Sequence, residues 1–321
     1  MTTLCDIANR TLFVIGVSGS GKSTAYKWLK KNVKRQIVDL HSVGISTLAK
    51  FGNTLQSNPT TILIEDLSVA KTEDMMIKTA FFITHLTYDK RLIRIIMPYP
   101  IEIHNFVGSA IINFQPYILE AMFKQREWET DIRDKAIRYY HLYLPLEQFI
   151  KPPSELPTYR VKYSYVDEVS FSFDIKSEWL SIYRKALQNF RHEFTEARAR
   201  EHLNALLKAN AILNERNKLT KADLIIIERL SRIFKLELEI FEKEHLEGKR
   251  TLNVDLLPIL SVLATYSSYP ISKLMLHFQV RRSQIYNILN TLSEYVLTYN
   301  SPSRIIPTDY TKQLLKEIGV R

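Results

Sequence analysis

The run Gly16-Val-Ser-Gly-Ser-Gly21-Lys22-Ser23 has the residue types and spacing needed to hold a chain of phosphates. Glycines at 16, 19 and 21 permit positive φ and let backbone N–H groups approach phosphate oxygens closely. A helix starting at Lys22 would present its positive end to the same anion. Lys22 is long enough to reach β- and γ-phosphates, and the Ser23 hydroxyl suits Mg²⁺. Ser18, Gly19 and Ser20 within the loop and Thr24 after it complete the expected nucleotide contacts. Of 8 glycines in the chain three lie here, so glycine is placed and not scattered. A chance match in a chain of this length is expected roughly one time in a hundred. The bland alternative is a tight turn without a ligand.

A second group lies at Thr61-Ile-Leu-Ile-Glu65-Asp66. Four residues of strand character end in adjacent carboxylates. One can hold Mg²⁺ through water while the other positions an attacking water. Glu precedes Asp here, which leaves the two roles open between Glu65 and Asp66. A solvated strand end is the plain alternative.

These groups need elements to place them. Leu12–Gly16 is a short apolar run that stops at glycine, a buried strand feeding the loop. A helix is predicted from Lys22 to about Lys34, and further buried strands over Gln36–Leu40, Thr61–Glu65, Leu92–Met97 and Ser109–Phe114. A helix over Thr72–Leu86 fits between them, and one from Pro116 to about Tyr143 closes the unit, with proline at the first helical position. Strands alternating with helices predict an α/β fold with a parallel sheet over residues 1–150. Lys151–Pro157 carries three prolines in seven residues and breaks the chain. The alternation from Arg160 to Phe173 predicts a β-hairpin turning at Asp167-Glu168. Amphipathic helices follow over Ile175–Phe194, Thr195–Glu215 and Thr220–Glu247, the last opened by a Thr220/Asp223 capping box and closed by Gly248. Residues 151–248 thus read as linker, hairpin and helical lid.

Composition sets the wider bounds. The 321 residues suggest two domains or three. A hydrophobic share of 45% with 24% charged excludes extensive disorder. No run of about 18 apolar residues occurs, and the start MTTLCDIANR has no basic-then-apolar leader, so a cytoplasmic protein without membrane contact is expected. Cys5 is the single cysteine, which excludes an intrachain disulfide or a multi-thiolate zinc site. His85, His104 and His192 lack metal-ligand spacing, so no metal beyond Mg²⁺ is expected.

The net charge of +10 points to a polyanionic partner. Residues 249–321 hold nine Lys/Arg against four Asp/Glu, a local excess of +5. Residues 253–306 fit a winged helix-turn-helix: helices over Val254–Tyr266, Pro270–Phe278 and Arg281–Tyr295, then wing strands over Val296–Tyr299 and Arg304–Ile306. The third helix buries Ile285, Ile288, Leu289 and Leu292 and turns out Arg282, Gln284, Asn287 and Asn290, types suited to base edges and phosphates. Lys273, Arg281, Arg282, Gln284, Asn287 and Arg304 are the candidate contacts to double-stranded DNA; protein contact is the alternative use of such a module. Lys27, Lys30, Lys31 and Lys34 form a basic stripe on one helix, expected as a solvated face, with a DNA track as the sharper alternative.

From the Gly16–Ser23 loop and the Glu65-Asp66 pair, the chain resembles P-loop NTPases and is similar to their AAA+ branch over roughly residues 10–150. Arg200-Glu-His-Leu-Asn-Ala-Leu-Leu-Lys-Ala followed by Leu219-Thr-Lys-Ala-Asp223-Leu resembles the lid of archaeal minichromosome maintenance helicases and initiator ATPases. The resemblance implies a lid arginine near the γ-phosphate, for which Arg200 and Arg198 are candidates, although Glu201 takes the aligned position. It implies a polar sensor after the fourth core strand, where Met97-Pro98-Tyr99 offers none unless His104 or Asn105 serves. It implies an arginine finger from a neighbouring copy in a homo-oligomer, with Arg126, Arg133 and Arg138 as candidates.

The expected function is therefore a Mg²⁺-dependent ATPase linked to DNA, in replication initiation, helicase loading or remodelling. A nucleotide-switched DNA-binding regulator with little hydrolysis is the first alternative. A P-loop small-molecule kinase of the gluconate-kinase kind is the second, although the basic tail would be surplus to it. An ABC-type ATPase is excluded by the lack of an LSGGQ-like segment.

Overall fold

The computed structural model describes residues 1–18, 20–40, 52–67, 72–94, 101–125, 127–128, 132–142, 164–241, 253, 255–278, 280–300 and 303–320. The chain opens with α1 (Thr2–Ile7) and β1 (Thr11–Ile15), and all five residues of β1 are buried, as a strand covered on both faces requires. After the loop comes α2 (Lys22–Asn32), two residues shorter than predicted because Val33 turns extended (ψ 132) ahead of β2 (Gln36–Asp39). Then follow α3 (Gly52–Ser57), β3 (Thr60–Ile64) and α4 (Glu73–Asp89). Thr72 caps α4 by accepting from the Met75 N–H (3.3 Å), and Glu73 and Asp74 complement the helix dipole.

One strand assignment changes here. Leu92–Met97 does not join the main sheet: β4 (Leu92–Arg94) pairs antiparallel with β5 (Ile101–Ile103) as a separate ribbon, and residues 95–97 lie outside the described residues. The next sheet strand is β6 (Gly108–Phe114), buried throughout and seated between β3 and β1. Gly108 makes that fit possible, since a Cβ there would lie 1.9 Å from the Thr60 carbonyl oxygen.

The helix predicted from Pro116 to Tyr143 is two elements. Pro116 does start α5, with Gln115 as its cap, but α5 ends at Phe123 and residues 136–140 form β7 (Ala136–Tyr140). Ala-Ile-Arg-Tyr-Tyr is rich in strand formers, and the charge at Arg138 hid a buried strand until its partners were in view. Among the described residues the sheet is parallel with order β2-β3-β6-β1-β7, so β1 is interior and its C-terminal end faces the loop.

The predicted hairpin is absent from its described part. Over 164–173 the chain makes a turn, with the Glu168 N–H donating to the Tyr165 carbonyl (3.0 Å), and Ser172 bridges to Lys218. Tyr165 is instead buried beneath Arg35, whose guanidinium lies 3.3 Å from its ring centroid. Residues 160–163 and the breaker Lys151–Pro157 lie outside the described residues. A 3₁₀ turn (Ser177–Trp179) leads into α6 (Leu180–Phe190), then α7 (Glu196–Leu213) and α8 (Lys221–Ser231). The Thr220/Asp223 capping box is present, with the Thr220 N–H donating to Asp223 (2.8 Å). The helix predicted onward to Glu247 is broken by a 3₁₀ turn (Arg232–Lys235) and resumes as α9 (Leu236–Ile240). The offset brings Glu237 onto Arg138 of β7. Gly248 lies outside the described residues.

The C-terminal unit holds α10 (Leu256–Thr265), β8 (Tyr269–Pro270), α11 (Ile271–Phe278), α12 (Arg282–Thr291), β9 (Val296–Asn300), β10 (Ser303–Pro307) and α13 (Asp309–Glu317). Pro258 falls in the first turn of α10, where proline is tolerated. Its strands pair antiparallel in the order β8-β10-β9. No helix among the described residues is long and apolar enough to cross a membrane.

Candidate functional site

The loop leaves the C-terminal end of β1, between β6 and β7. The Gly16 N–H donates to the Phe114 carbonyl of β6 (3.3 Å), and the His141 N–H, just past β7, donates to the Ile15 carbonyl (2.7 Å). Gly16 has no room for a side chain: a Cβ would lie 2.8 Å from the His141 carbonyl oxygen and 3.2 Å from Ser20 Oγ. Gly21 adopts φ 87, a left-handed conformation that glycine takes at little cost, and so starts α2 directly. Ser18 and Thr24 are exposed and Ser20 is buried; Gly19 lies outside the described residues.

Lys22 lies back over its own loop, donating to the carbonyls of Gly16 (2.5 Å) and Val17 (2.7 Å). Burial pulls its ammonium down to about 8, and Asp66 opposes that shift. Lys22 and Asp66 are therefore in electrostatic reach of one another. Glu65 lies near Tyr26 of α2, and the two carboxylates follow directly on β3. The ladder of β3 with β6 ends at the Ile64–Ile112 pair, and the next residue of β6, Asn113, is paired with Val14 of β1.

Asn113 and His141 are the site residues that the sequence pattern missed. Asn113 is buried, and its Nδ2 has no hydrogen-bond partner among the described residues. It stands on β6, the fourth strand of the main sheet in chain order, whereas His104 pairs with Glu102 (2.9 Å) on the separate ribbon and Asn105 is a left-handed turn residue. A polar residue near the C-terminal end of a mostly apolar strand was the available signal. His141 accepts no such sequence rule: its ring Nε2 is 2.9 Å from the Ser20 carbonyl. Burial lowers its pKa, the Ser20 carbonyl opposes that, and Lys22 lowers it further.

The donor set fits a triphosphate with Mg²⁺. Ser20 Oγ is buried without a partner, Asn113 offers an orphaned amide, Gly16 is a cradle that a Cβ would fill, and Ser23, Glu65 and Asp66 supply hard oxygens at its mouth.

Arg200 is not brought to the loop. It is exposed on α7 and pairs with Glu196 (2.7 Å). Its neighbours meet the opposite end of the sheet: Glu201 binds Arg10, immediately before β1 (3.0 Å), and His202 Nε2 reaches the Asp134 carbonyl before β7 (3.1 Å). Arg198 stacks on Tyr88 and pairs with Glu201 (2.8 Å) in the same place. The reason is the order of contacts: α7 packs on α1, which precedes β1. Arg138, a finger candidate, is wholly buried against Glu237 (2.9 Å) and cannot reach another copy. The Arg133 carbonyl accepts from Arg138 (2.7 Å), and Arg126 lies outside the described residues.

In the C-terminal unit Lys273, Arg281, Arg282, Gln284 and Asn287 are exposed. Two differ from expectation. Gln284 Oε1 caps α12 by accepting from the Arg281 N–H (2.9 Å), so it is partly committed. Arg304 is half-buried, its Nη2 3.5 Å from the Ser268 carbonyl and its Nε buried, because β10 is the middle strand of its sheet. On α2, Lys27 and Lys31 are exposed and Lys30 is paired with Asp39 (2.5 Å), whereas Lys34, also exposed, lies past the end of the helix because the chain turns extended at Val33, so it does not share the predicted stripe.

No family model matches the chain, and no curated protein matches it. Among solved structures, a candidate ATPase from Cytophaga hutchinsonii aligns at 14% identity and a TM-score of 0.40, covering 71% of this chain and 78% of that one. A likeness of that size settles neither fold nor activity.

Proposed function

We propose that the protein binds ATP with Mg²⁺ at the Gly16–Thr24 loop and hydrolyses it, and that the C-terminal unit holds duplex DNA. The observation that carries the reading is the loop itself: it emerges from an interior parallel strand, presses against β6 and β7, enters α2 through a left-handed Gly21, and holds Lys22 within electrostatic reach of Asp66. Lys22 would leave the Gly16 and Val17 carbonyls for the β- and γ-phosphates. Ser23 and Asp66 would hold the metal, and Glu65 would orient water. Magnesium, when bound, neutralises charge on the phosphate oxygens. The C-terminal order of helix, strand, two helices and two strands is that expected of a winged helix-turn-helix, and exposed Lys273, Arg281 and Arg282 support a polyanionic partner.

Lys22→Ala tests the site. Phosphate release should fall about a hundredfold or more, while affinity for duplex DNA stays within about twofold because Lys22 is remote from the C-terminal unit in sequence and contacts its own loop. Retained turnover would reject the assignment. A nucleotide-operated switch with little hydrolysis is the second reading, favoured by Arg200 pairing with Glu196 and away from the loop. Steady-state phosphate release with and without duplex DNA separates the two: stimulated release supports the hydrolase, and nucleotide binding without release supports the switch.

A further inference from the structure

We propose that His141 is a positioning residue for the phosphate loop, its ring Nε2–H clamping the Ser20 carbonyl so that the next peptide N–H, that of Gly21, is aimed into the loop. The inference rests on the nucleotide-binding reading and deepens it.

The His141 backbone is fixed first. Its N–H donates to the Ile15 carbonyl (2.7 Å), which extends the β1–β7 ladder by one residue and sets His141 beside the loop's first glycine. Gly16 touches it so closely that a Cβ would lie 3.2 Å from His141 Cβ as well as 2.8 Å from its carbonyl oxygen. The ring then spans the loop to Ser20, 2.9 Å away. A carbonyl only accepts, so Nε2 must carry the hydrogen.

The consequence follows from peptide geometry. The Ser20–Gly21 peptide is planar, and in the trans form its C=O and N–H point in opposite directions. Pinning the carbonyl on the β7 side turns the Gly21 N–H to the other side. Gly21 at φ 87 is the residue that joins loop to helix, and glycine has the freest backbone of any residue. An external clamp is what keeps that hinge from sampling other orientations before a phosphate arrives, so the ordering cost is met in the empty protein. A purely packing role would be filled by any side chain of similar volume; the contact made here is polar and is directed at loop main chain.

Gln and Met have nearly the same length and shape, but only Gln carries a terminal N–H donor, so His141→Gln and His141→Met separate clamp from packing. The probe is a fluorescent ATP analogue with Mg²⁺, titrated into full-length protein, with circular dichroism confirming the fold of each variant. We expect His141→Met to bind about tenfold more weakly and His141→Gln to stay within about threefold of the unsubstituted protein. Equal affinities for the two variants, at either level, overturn the proposal. Hydrogen–deuterium exchange of the loop peptide without nucleotide gives an independent reading: exchange should rise in His141→Met and not in His141→Gln. If the unsubstituted protein takes up no nucleotide, the site reading fails; the clamp fails separately if exchange is the same in both variants.

Discussion

His202 shows what one buried titratable side chain does to the pH dependence of this fold. It is fully buried on α7, with Nε2 on the Asp134 carbonyl and its ring 4.5 Å from that of Phe194. Burial, reinforced by Arg10, drives its pKa down to about 3, and the Asp134 carbonyl only partly opposes this. The sign follows directly. The unfolded chain takes up a proton near pH 6.5 while the folded chain keeps the ring neutral, so His202 stabilises in full above 6.5 and loses its contribution as pH falls toward 3. The loss approaches 1.36 kcal/mol per pH unit for one such group, so urea unfolding from pH 7 to pH 5 should narrow the gap between the protein and His202→Phe by about 2 kcal/mol. Parallel stability curves for the two proteins would reject this. At this scale the sequence was informative where chemistry repeats locally: the eight residues of the loop and the Glu65-Asp66 pair needed no tertiary knowledge. Asn113 and His141 were not legible, because each matters only through a strand order that sets it beside the loop.

Elements were legible in proportion to how far their own pattern determined them. β1, β2, β3 and the capped starts of α4 and α8 were found nearly in place, since a continuous apolar run or a cap is a local signal. β7 was missed because its middle residue is Arg138, and its charge is met by residues 55 and 99 positions away in the chain. Arg138 Nε donates to Glu237 Oε1 (3.0 Å), its Nη2 to the Glu193 carbonyl (2.9 Å), and its backbone N–H to Glu193 Oε2 (3.1 Å). The Tyr140 hydroxyl binds Glu237 as well. Burial raises the Glu193 pKa well above the ordinary value, with Arg138 opposing. Removing one partner strands the other: Arg138→Met should destabilise by about 3–5 kcal/mol in urea, whereas adding Glu237→Leu should recover part of that loss. A double variant as unstable as the sum of the single variants would show that the two charges are not coupled.

At the scale of the molecule the helices after residue 175 bridge the sheet and the C-terminal unit. Within the five residues of α9, Glu237 grips β7 while Glu239 accepts from the hydroxyls of Tyr295 (2.8 Å) and Tyr310 (2.7 Å). The C-terminal unit is therefore seated on the same short helix that seats β7, and its exposed α12 face carries the cations proposed for DNA. Each phosphate neutralised contributes about −0.9 to the slope of log affinity against log salt. With Arg281 and Arg282 both exposed, Arg281→Gln/Arg282→Gln should flatten that slope by about 2 for a mixed-sequence duplex. Arg304 gives the contrast. Its guanidinium turns back to Ser268 with its Nε buried, so Arg304→Gln should change the slope by less than about 0.5. Titrations of labelled duplex from low to moderate salt read both numbers in one experiment. An unchanged slope in the double variant would remove α12 from any phosphate contact, and a large change at Arg304 would move the contact to the β9–β10 hairpin.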